Sequence, residues 1–381
     1  RGCAVASSLS LMLLAGVCTR PSSLASSPQP MASGGATGEA AMPPVRHVFV
    51  ILLENKPFTT TFGPNSPAPY LADTLVPQGA LLTQYYGIGH FSLDNYLAII
   101  SGQAPNLSTQ SDCGRFTEFK QTGMADYGQV IGEGCVYPAS VKTLADQLTS
   151  HSLTWKGYME DMGKDPSREA ATCGHVAIGA RDHTNRASRG DQYADKHNPF
   201  VYFHSIIDSP VCQTSVVPLA GLQQDLMDSA TTPNFVFITP NLCHDGHDAP
   251  CVDGEPGGLV SADRFLRRWV PRILQSPAFR ADGLLIVTFD EASSSDATAC
   301  CNEQPGPNSK APGGTGPGGG RIGAVLVSPF ITPGTRSTTP YNHYSMLRSI
   351  EDIFSLPYLG YAAPPGLASF GPDVFTHPRM P

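Results

Sequence analysis

Charge is scarce in this chain. Only 15% of its 381 residues are Asp, Glu, Lys or Arg, the net charge is -8, and the 24 Lys and Arg residues form no cluster. A surface that holds nucleic-acid phosphates needs a basic patch or stripe, so nucleic acid is excluded as a partner. Long apolar runs are missing too. The run "AVASSLSLMLLAGV" over residues 4–17 falls short of the roughly 20 residues that cross a bilayer, and no stable membrane span is expected. The ten cysteines contain no C-x-x-C spacing, which disfavours a zinc-thiolate site. There is no internal repeat, no P-loop and no G-x-S-x-G, so P-loop phosphate binding and the α/β-hydrolase elbow with its triad are both disfavoured.

What is present is a chain long enough for one large α/β domain, with 38 Gly and 35 Pro implying many loops around its centre. Residues 4–17 read as the apolar region of a secretory signal, with a fuller basic segment expected ahead of Arg1. Residues 1–25 are therefore assigned to a signal peptide, or to a lipoprotein signal with Cys18 as the attachment point. Residues 26–43, rich in Ser, Ala, Gly and Pro, read as a disordered linker, and 44–375 as the folded domain. Eight cysteines remain beyond the signal, an even number that suits disulfides in a secreted or extracytoplasmic protein. Proximity in sequence alone pairs Cys243 with Cys251 and Cys113 with Cys135.

The continuous apolar run "HVFVILLEN" (47–55) reads as a central parallel strand, buried on both faces. Further strands are expected in "LLTQYYGI" (81–88), "TWKGYMED" (154–161), "NFVFITPN" (234–241), "GLLIVTFDE" (283–291) and "RIGAVLVSPF" (321–330). Helices are expected over 69–76, 141–151, 221–230, 261–275 with Ser261 as N-cap, and 343–357. Strands alternating with helices predict an α/β fold with a mostly parallel central sheet sandwiched by helices, and such sheets carry their sites beyond the carboxyl ends of the strands. The Gly/Pro-rich segment 304–321 reads as a loop insertion.

Acids and imidazoles come after the apolar strands one by one: Glu54 and Asn55, then His90 and Ser92, then Asn241, His244, Asp245, His247 and Asp248, then Asp290 and Glu291. In one sheet they would converge on one edge, and hard oxygens with a few imidazoles suit a divalent cation. Ser92, in "GIGHFSLDNYLAIISG", has two readings. It caps the adjoining helix, or it is a nucleophile at a helix N-terminus, where free N–H groups favour a phosphate. A serine hydroxyl needs a base or a metal to attack, and Glu54, Asp290 and Glu291 could hold one.

Six segments in order across residues 47–357 ("HVFVILLENKPF", "GHFSLDNYLAIISGQ", "YADKHNPFVYF", "FITPNLCHDGHD", "LIVTFDEA" and "YNHYSMLRSIEDIFSLP") together resemble the bacterial secreted phosphoesterase family of acid phosphatases, a phosphatidylinositol 3-phosphate phosphatase and phospholipases C. The resemblance implies an alkaline-phosphatase-like fold and a metal-assisted Ser or Thr nucleophile. It also implies a divalent metal ion (Zn, Ca, Mg or Mn) held by Glu54, Asn55, Ser92, Asp245, Asp290 and Glu291. Ser92 falls on the nucleophile position, with His197 and His247 as further catalytic residues, and Asn55, Asn95, Asn241 and His343 toward substrate. The substrate class implied is a small phosphate ester or a phospholipid head group. Phe91 and Asp94 stand where the family often has Pro, His244 where it usually has Asn, and "DEASSSD" replaces the Asp-Glu-His-Gly-Gly of the phospholipase C branch, which weakens that branch. The expected activity is a phosphomonoesterase; the rivals are a phospholipase C-type phosphodiesterase and a secreted binding protein that keeps fold and metal without turnover.

Overall fold

All seven residues of "HVFVILL" are buried, and this segment, β1 (His47–Leu53), lies at the centre of an eight-stranded sheet. The computed structural model describes residues 42–377. The signal peptide, the Cys18 alternative and all but the last two residues of the 26–43 linker lie outside the described residues. The other strands of the sheet are β2 (Ala80–Leu82), β3 (Trp155–Met159), β4 (Val216–Pro218), β5 (Phe235–Thr239), β6 (Gly283–Phe289), β7 (Ala324–Val327) and β8 (Thr335–Ser337). Their order is β8-β2-β7-β6-β1-β5-β3-β4. Only β7 runs against its neighbours; every other pairing is parallel. The central strands are apolar without alternation because both faces are covered, as expected of a parallel sheet.

Register places the site. β1 pairs with β6 from His47 opposite Gly283 to Leu53 opposite Phe289, so Glu54 leaves the sheet level with Asp290. On the other side Ile51 lies opposite Ile238 of β5, which brings the segment after Thr239 to the same edge.

The helices include α1 (Ser92–Ser101), α2 (Leu144–Ser150), α3 (Gly258–Gln275) and α4 (His343–Phe354). α1 and α4 pack against each other, and α1 is buried along its whole length. Thr143 and Asp146 close α2 with a capping box. α3 begins three residues before the expected start: Gly257, at φ +69°, is its N-cap, and the Ser261 hydroxyl instead accepts the Gly257 N–H at 3.0 Å. The expected strand over 81–88 is divided. Its second part, Tyr85–Tyr86, leaves the main sheet to pair with Tyr341–Asn342. The 221–230 helix is a single turn, Leu222–Asp225.

Four disulfides join all eight cysteines of the described region: Cys113–Cys135, Cys173–Cys212, Cys243–Cys251 and the adjacent pair Cys300–Cys301. No helix among the described residues is long and apolar enough to cross a membrane.

Candidate active site

Ser92 is the first residue of α1, but it is not the cap. Phe91 occupies the N-cap position in extended backbone and offers no side-chain cap; the Leu93 N–H of the first turn is met instead by Asp112 Oδ1 at 3.2 Å. The Ser92 hydroxyl instead donates to Oε2 of Glu54 at 2.8 Å, with both groups buried. The turn that delivers Ser92 is tight. A Cβ on Gly87 would stand 2.6 Å from the Asp290 carbonyl oxygen, so the chain passes Asp290 only as glycine.

Around Ser92 the acids converge. Glu54 Oε2 also accepts from Asn55 Nδ2 at 2.9 Å. Asp290 Oδ1 accepts the Asn55 N–H at 2.9 Å and the Glu291 N–H at 2.6 Å. Asn55 adopts φ +58°, and this left-handed turn aims its amide back at Asp290. Asp245 enters from the β5 side: its carbonyl accepts the Glu54 N–H at 2.8 Å, and its Oδ1 accepts the His247 N–H at 2.7 Å. His197 is stacked on Tyr96 with centroids 5.1 Å apart. Its Nε2 lies 3.4 Å from Glu54 and its Nδ1 3.3 Å from Asp245.

Burial pushes the carboxyls of Glu54, Asp245, Asp290 and Glu291 well above the usual range, and their mutual repulsion adds to the rise. The His197 imidazole is pushed well down by burial first, then by Lys196 and His247, which keeps it neutral. Glu54 Oε1, Asp245 Oδ2, Asp290 Oδ2 and both ring nitrogens of His197 are buried without a hydrogen-bond partner. Orphaned carboxylate oxygens beside a neutral imidazole are a donor set that fits a divalent cation. The groups of three or more His, Cys, Asp or Glu among the described residues whose ligand atoms lie within 4.8 Å of one another are three, the acid cluster not among them, and each contains disulfide-bonded cysteines, whose sulfurs cannot act as thiolates.

The remaining expected site residues are placed less directly. Asn95 Oδ1 accepts the Ile88 and Gly89 N–H groups at 2.7 and 3.0 Å, and its Nδ2 faces the carbonyls of Gly89 and Phe91 and, at 3.4 Å, Glu291 Oε2. Its amide is spent on the turn before Ser92, not left free for substrate. Asn241 is likewise occupied, donating to Asp161 and accepting from the Cys243 and His244 N–H groups. His343 is buried at the start of α4, with Nδ1 3.2 Å from the Tyr85 hydroxyl and Nε2 2.6 Å from the Asp290 carbonyl. It braces the strand end that carries Asp290, while Asn342 caps the helix. His247 is exposed at the rim, its ring bonded to Asp248 at 2.7 Å. His244 is held by Glu160 at 2.9 Å, His90 reaches the Asp296 carbonyl, and His47 pairs with Asp282.

Two lysines were not anticipated. Lys196 is buried, with Nζ 3.0 Å from Asp112, and it acts electrostatically on Glu54 and Asp290. Asp112 in turn accepts the Leu93 N–H at 3.2 Å, so this ion pair ties the start of α1 to the segment carrying His197. Lys56, half-buried, faces the same acids. The signal was there: Lys196 directly precedes His197 in "YADKHNPF", and a cluster of four buried acids calls for positive charge.

The profile of the phosphoesterase family matches residues 64–357. A probable acid phosphatase of Kluyveromyces lactis is 25% identical over 318 residues, which are 83% of this chain and 59% of that protein. The acid phosphatase of Aspergillus fumigatus is 25% identical over 75% of this chain and 51% of its own length, so the chain spans little more than half of these relatives. The phosphatidylinositol-3-phosphatase of Mycobacterium tuberculosis is 26% identical over 86% of this chain and 83% of its own length. Among solved structures, a protein in the alkaline phosphatase superfamily from Vibrio parahaemolyticus matches with a TM-score of 0.46 at 13% identity, covering 84% of this chain and 68% of that one.

Proposed function

The chain belongs to the phosphoesterase family, and from that membership we propose that it hydrolyses phosphoric monoesters with Ser92 as the attacking group. The observation that carries this reading is the Ser92 hydroxyl turned away from the helix backbone onto Glu54, amid buried acids with unused oxygens. In the first step the Ser92 Oγ–phosphorus bond forms and the phosphorus–oxygen bond to the alcohol breaks. The hydroxyl proton passes along the Ser92–Glu54 hydrogen bond to Glu54 Oε2. The departing oxygen takes a proton from His247 at the rim. In the second step water bonds to phosphorus and gives a proton back to His247, the Ser92 Oγ–phosphorus bond breaks to free phosphate, and Glu54 returns the proton to Ser92 Oγ. Phosphoryl transfer demands positioning and charge neutralisation above all.

Glu54, Asn55, Asp245 and Asp290, with His197 between two of these acids, would hold a divalent cation, and Glu291 lies against Asn95 beside them. When bound, such a cation neutralises phosphoryl charge and lowers the pKa of a nearby hydroxyl. Lys196 and Lys56 add fixed positive charge. Asn95, Asn241 and His343 serve as positioning residues for the turn, the β5 exit and the Asp290 strand end. The relatives' names support acid phosphatase chemistry, and one of them suggests a phosphatidylinositol phosphate among the monoesters worth testing. Four disulfides support export to an oxidising compartment.

The test is release of p-nitrophenol from p-nitrophenyl phosphate and from bis-p-nitrophenyl phosphate, each with and without chelator. Monoester turnover lost on chelation is expected. Preference for the diester would favour the phospholipase C-type rival, and no turnover of either would favour a binding protein.

A further inference from the structure

A cavity of about 360 Å³ opens beside α4, walled by Tyr127, Tyr344, Tyr361, Cys301, Glu303 and Pro364 among others. Tyr344 packs on Ile88 and Ala98, the latter nearly two turns along α1 from Ser92. None of Glu54, Asp245, Asp290 or Glu291 lines this space, so it is separate from the acid cluster. Its size lies within the range of small-molecule sites.

The chemistry of its walls is specific. Tyr344 and Tyr361 stand at right angles, 88° apart with centroids at 5.6 Å, and Tyr127 meets Tyr361 at 67° and 6.3 Å. Three rings at steep angles make a corner rather than a flat platform. Glu303 adds a carboxylate. Its Oε1 accepts from Asn342 Nδ2, and its Oε2 is buried with no partner. Burial pushes this carboxyl up to about 7. The charged groups that act on the rings are acidic: Glu303 and Asp94 on Tyr344, Asp126 on Tyr361. Arg348, on α4, is turned to the Ala362 and Pro364 carbonyls and the Tyr358 ring, and does not line the cavity. The wall carrying Glu303 is fixed by the Cys300–Cys301 pair, with left-handed backbone at Cys301 and Asn302.

Aromatic faces attract cations through the ring quadrupole, and the Glu303 carboxylate, with one oxygen held by Asn342 and the other unpartnered, supplies the opposite charge. We propose that this cavity is a binding site for a small organic ammonium solute, with the tyrosine corner enclosing its alkyl groups and Glu303 facing its charge. Phosphate esters have the wrong sign for it, so the site is distinct from the one that holds Ser92, and the proposal stands whether or not Ser92 is the nucleophile.

The experiment is an NMR or calorimetric titration of the whole protein with tetramethylammonium and, separately, with tert-butanol as a neutral probe of similar size. Tetramethylammonium should bind at least about tenfold more tightly than tert-butanol. Glu303→Gln, which keeps the acceptor for Asn342, should erase most of that difference, and Tyr361→Leu should weaken tetramethylammonium with an unchanged circular-dichroism spectrum. Equal affinity of the two probes for the wild-type protein, or binding of neither, overturns the proposal without recourse to any variant.

Discussion

Glu54 and Asp290 leave adjacent parallel strands at the same level, because Leu53 and Phe289 are paired partners in the register of β1 and β6. Two carboxylates are thus forced together in a buried place, and Asp245 and Glu291 join them. Burial and mutual repulsion push all four carboxyls above their usual range.

The first prediction comes from that crowding. A divalent cation bound by the folded state stabilises it by about 2.7 kcal/mol at a free concentration of 100 Kd. Thermal unfolding should therefore shift down by several degrees on dialysis against chelator and recover with one of Zn, Ca, Mg or Mn. Asp290→Asn should blunt the recovery. A melting temperature indifferent to chelator and to all four ions would remove the metal from the proposal.

Asn95 separates holding from binding. Asn95→Ala strips acceptors from the buried Ile88 and Gly89 N–H groups, and each unsatisfied buried group costs about 1–3 kcal/mol. The variant should melt lower, and kcat should fall while KM changes little, because the turn that aims Ser92 loosens. Were Asn95 a substrate contact, KM would rise with stability nearly intact.

Glu351 offers a pH test away from the acid cluster. It is buried in α4, and its carboxyl is pushed up to about 9 by desolvation from an ordinary 4.5. Between those values the folded chain holds a proton that the unfolded chain has lost, so this residue makes stability fall as pH rises. Glu351→Gln keeps an acceptor for the Leu359 N–H and removes the titration. Its stability relative to wild type should grow from about pH 4.5 toward pH 9, at no more than about 1.4 kcal/mol per pH unit. Parallel denaturation curves of the two proteins at every pH would refute this.

The central strands were legible because β1, β5 and β6 are apolar without interruption, and the acids just beyond them converge on one edge of the sheet. Of the disulfides, Cys113–Cys135 and Cys243–Cys251 accord with proximity in sequence. Cys173–Cys212 closes a longer loop, and a bond between the neighbours Cys300 and Cys301 has no spacing signal at all. Side-chain direction was not legible. Asn95 and His343 lie in the right segments, yet their polar atoms turn to backbone partners fixed only by the tertiary fold. Lys196 was hidden for a related reason: its partner Asp112 is 84 residues away in sequence. Ser261 looked like a helix start because the apolar period begins beside it, but the left-handed Gly257 starts the helix a turn earlier.

The last prediction returns to Ser92. A capping serine replaced by alanine costs about 0.5–2 kcal/mol, but the Ser92 hydroxyl bonds Glu54 and caps nothing. Ser92→Ala removes one donor from Glu54 Oε2, while Asn55 Nδ2 remains there. Stability should therefore change by no more than about 1 kcal/mol. Turnover should fall by several orders of magnitude, because the proposed nucleophile is gone and the other hydroxyl beside Glu54, the buried phenol of Tyr96, is held protonated by burial, which pushes it well above its usual range. Ser92→Thr keeps a hydroxyl and should recover part of the rate. Acid-quenched wild-type enzyme, digested and weighed, should carry one phosphoryl group on the peptide containing Ser92, and Ser92→Ala should carry none. Near wild-type turnover in Ser92→Ala, or a phosphoryl group found on another peptide, would move the chemistry to a different residue and leave the Ser92–Glu54 bond with a structural role only.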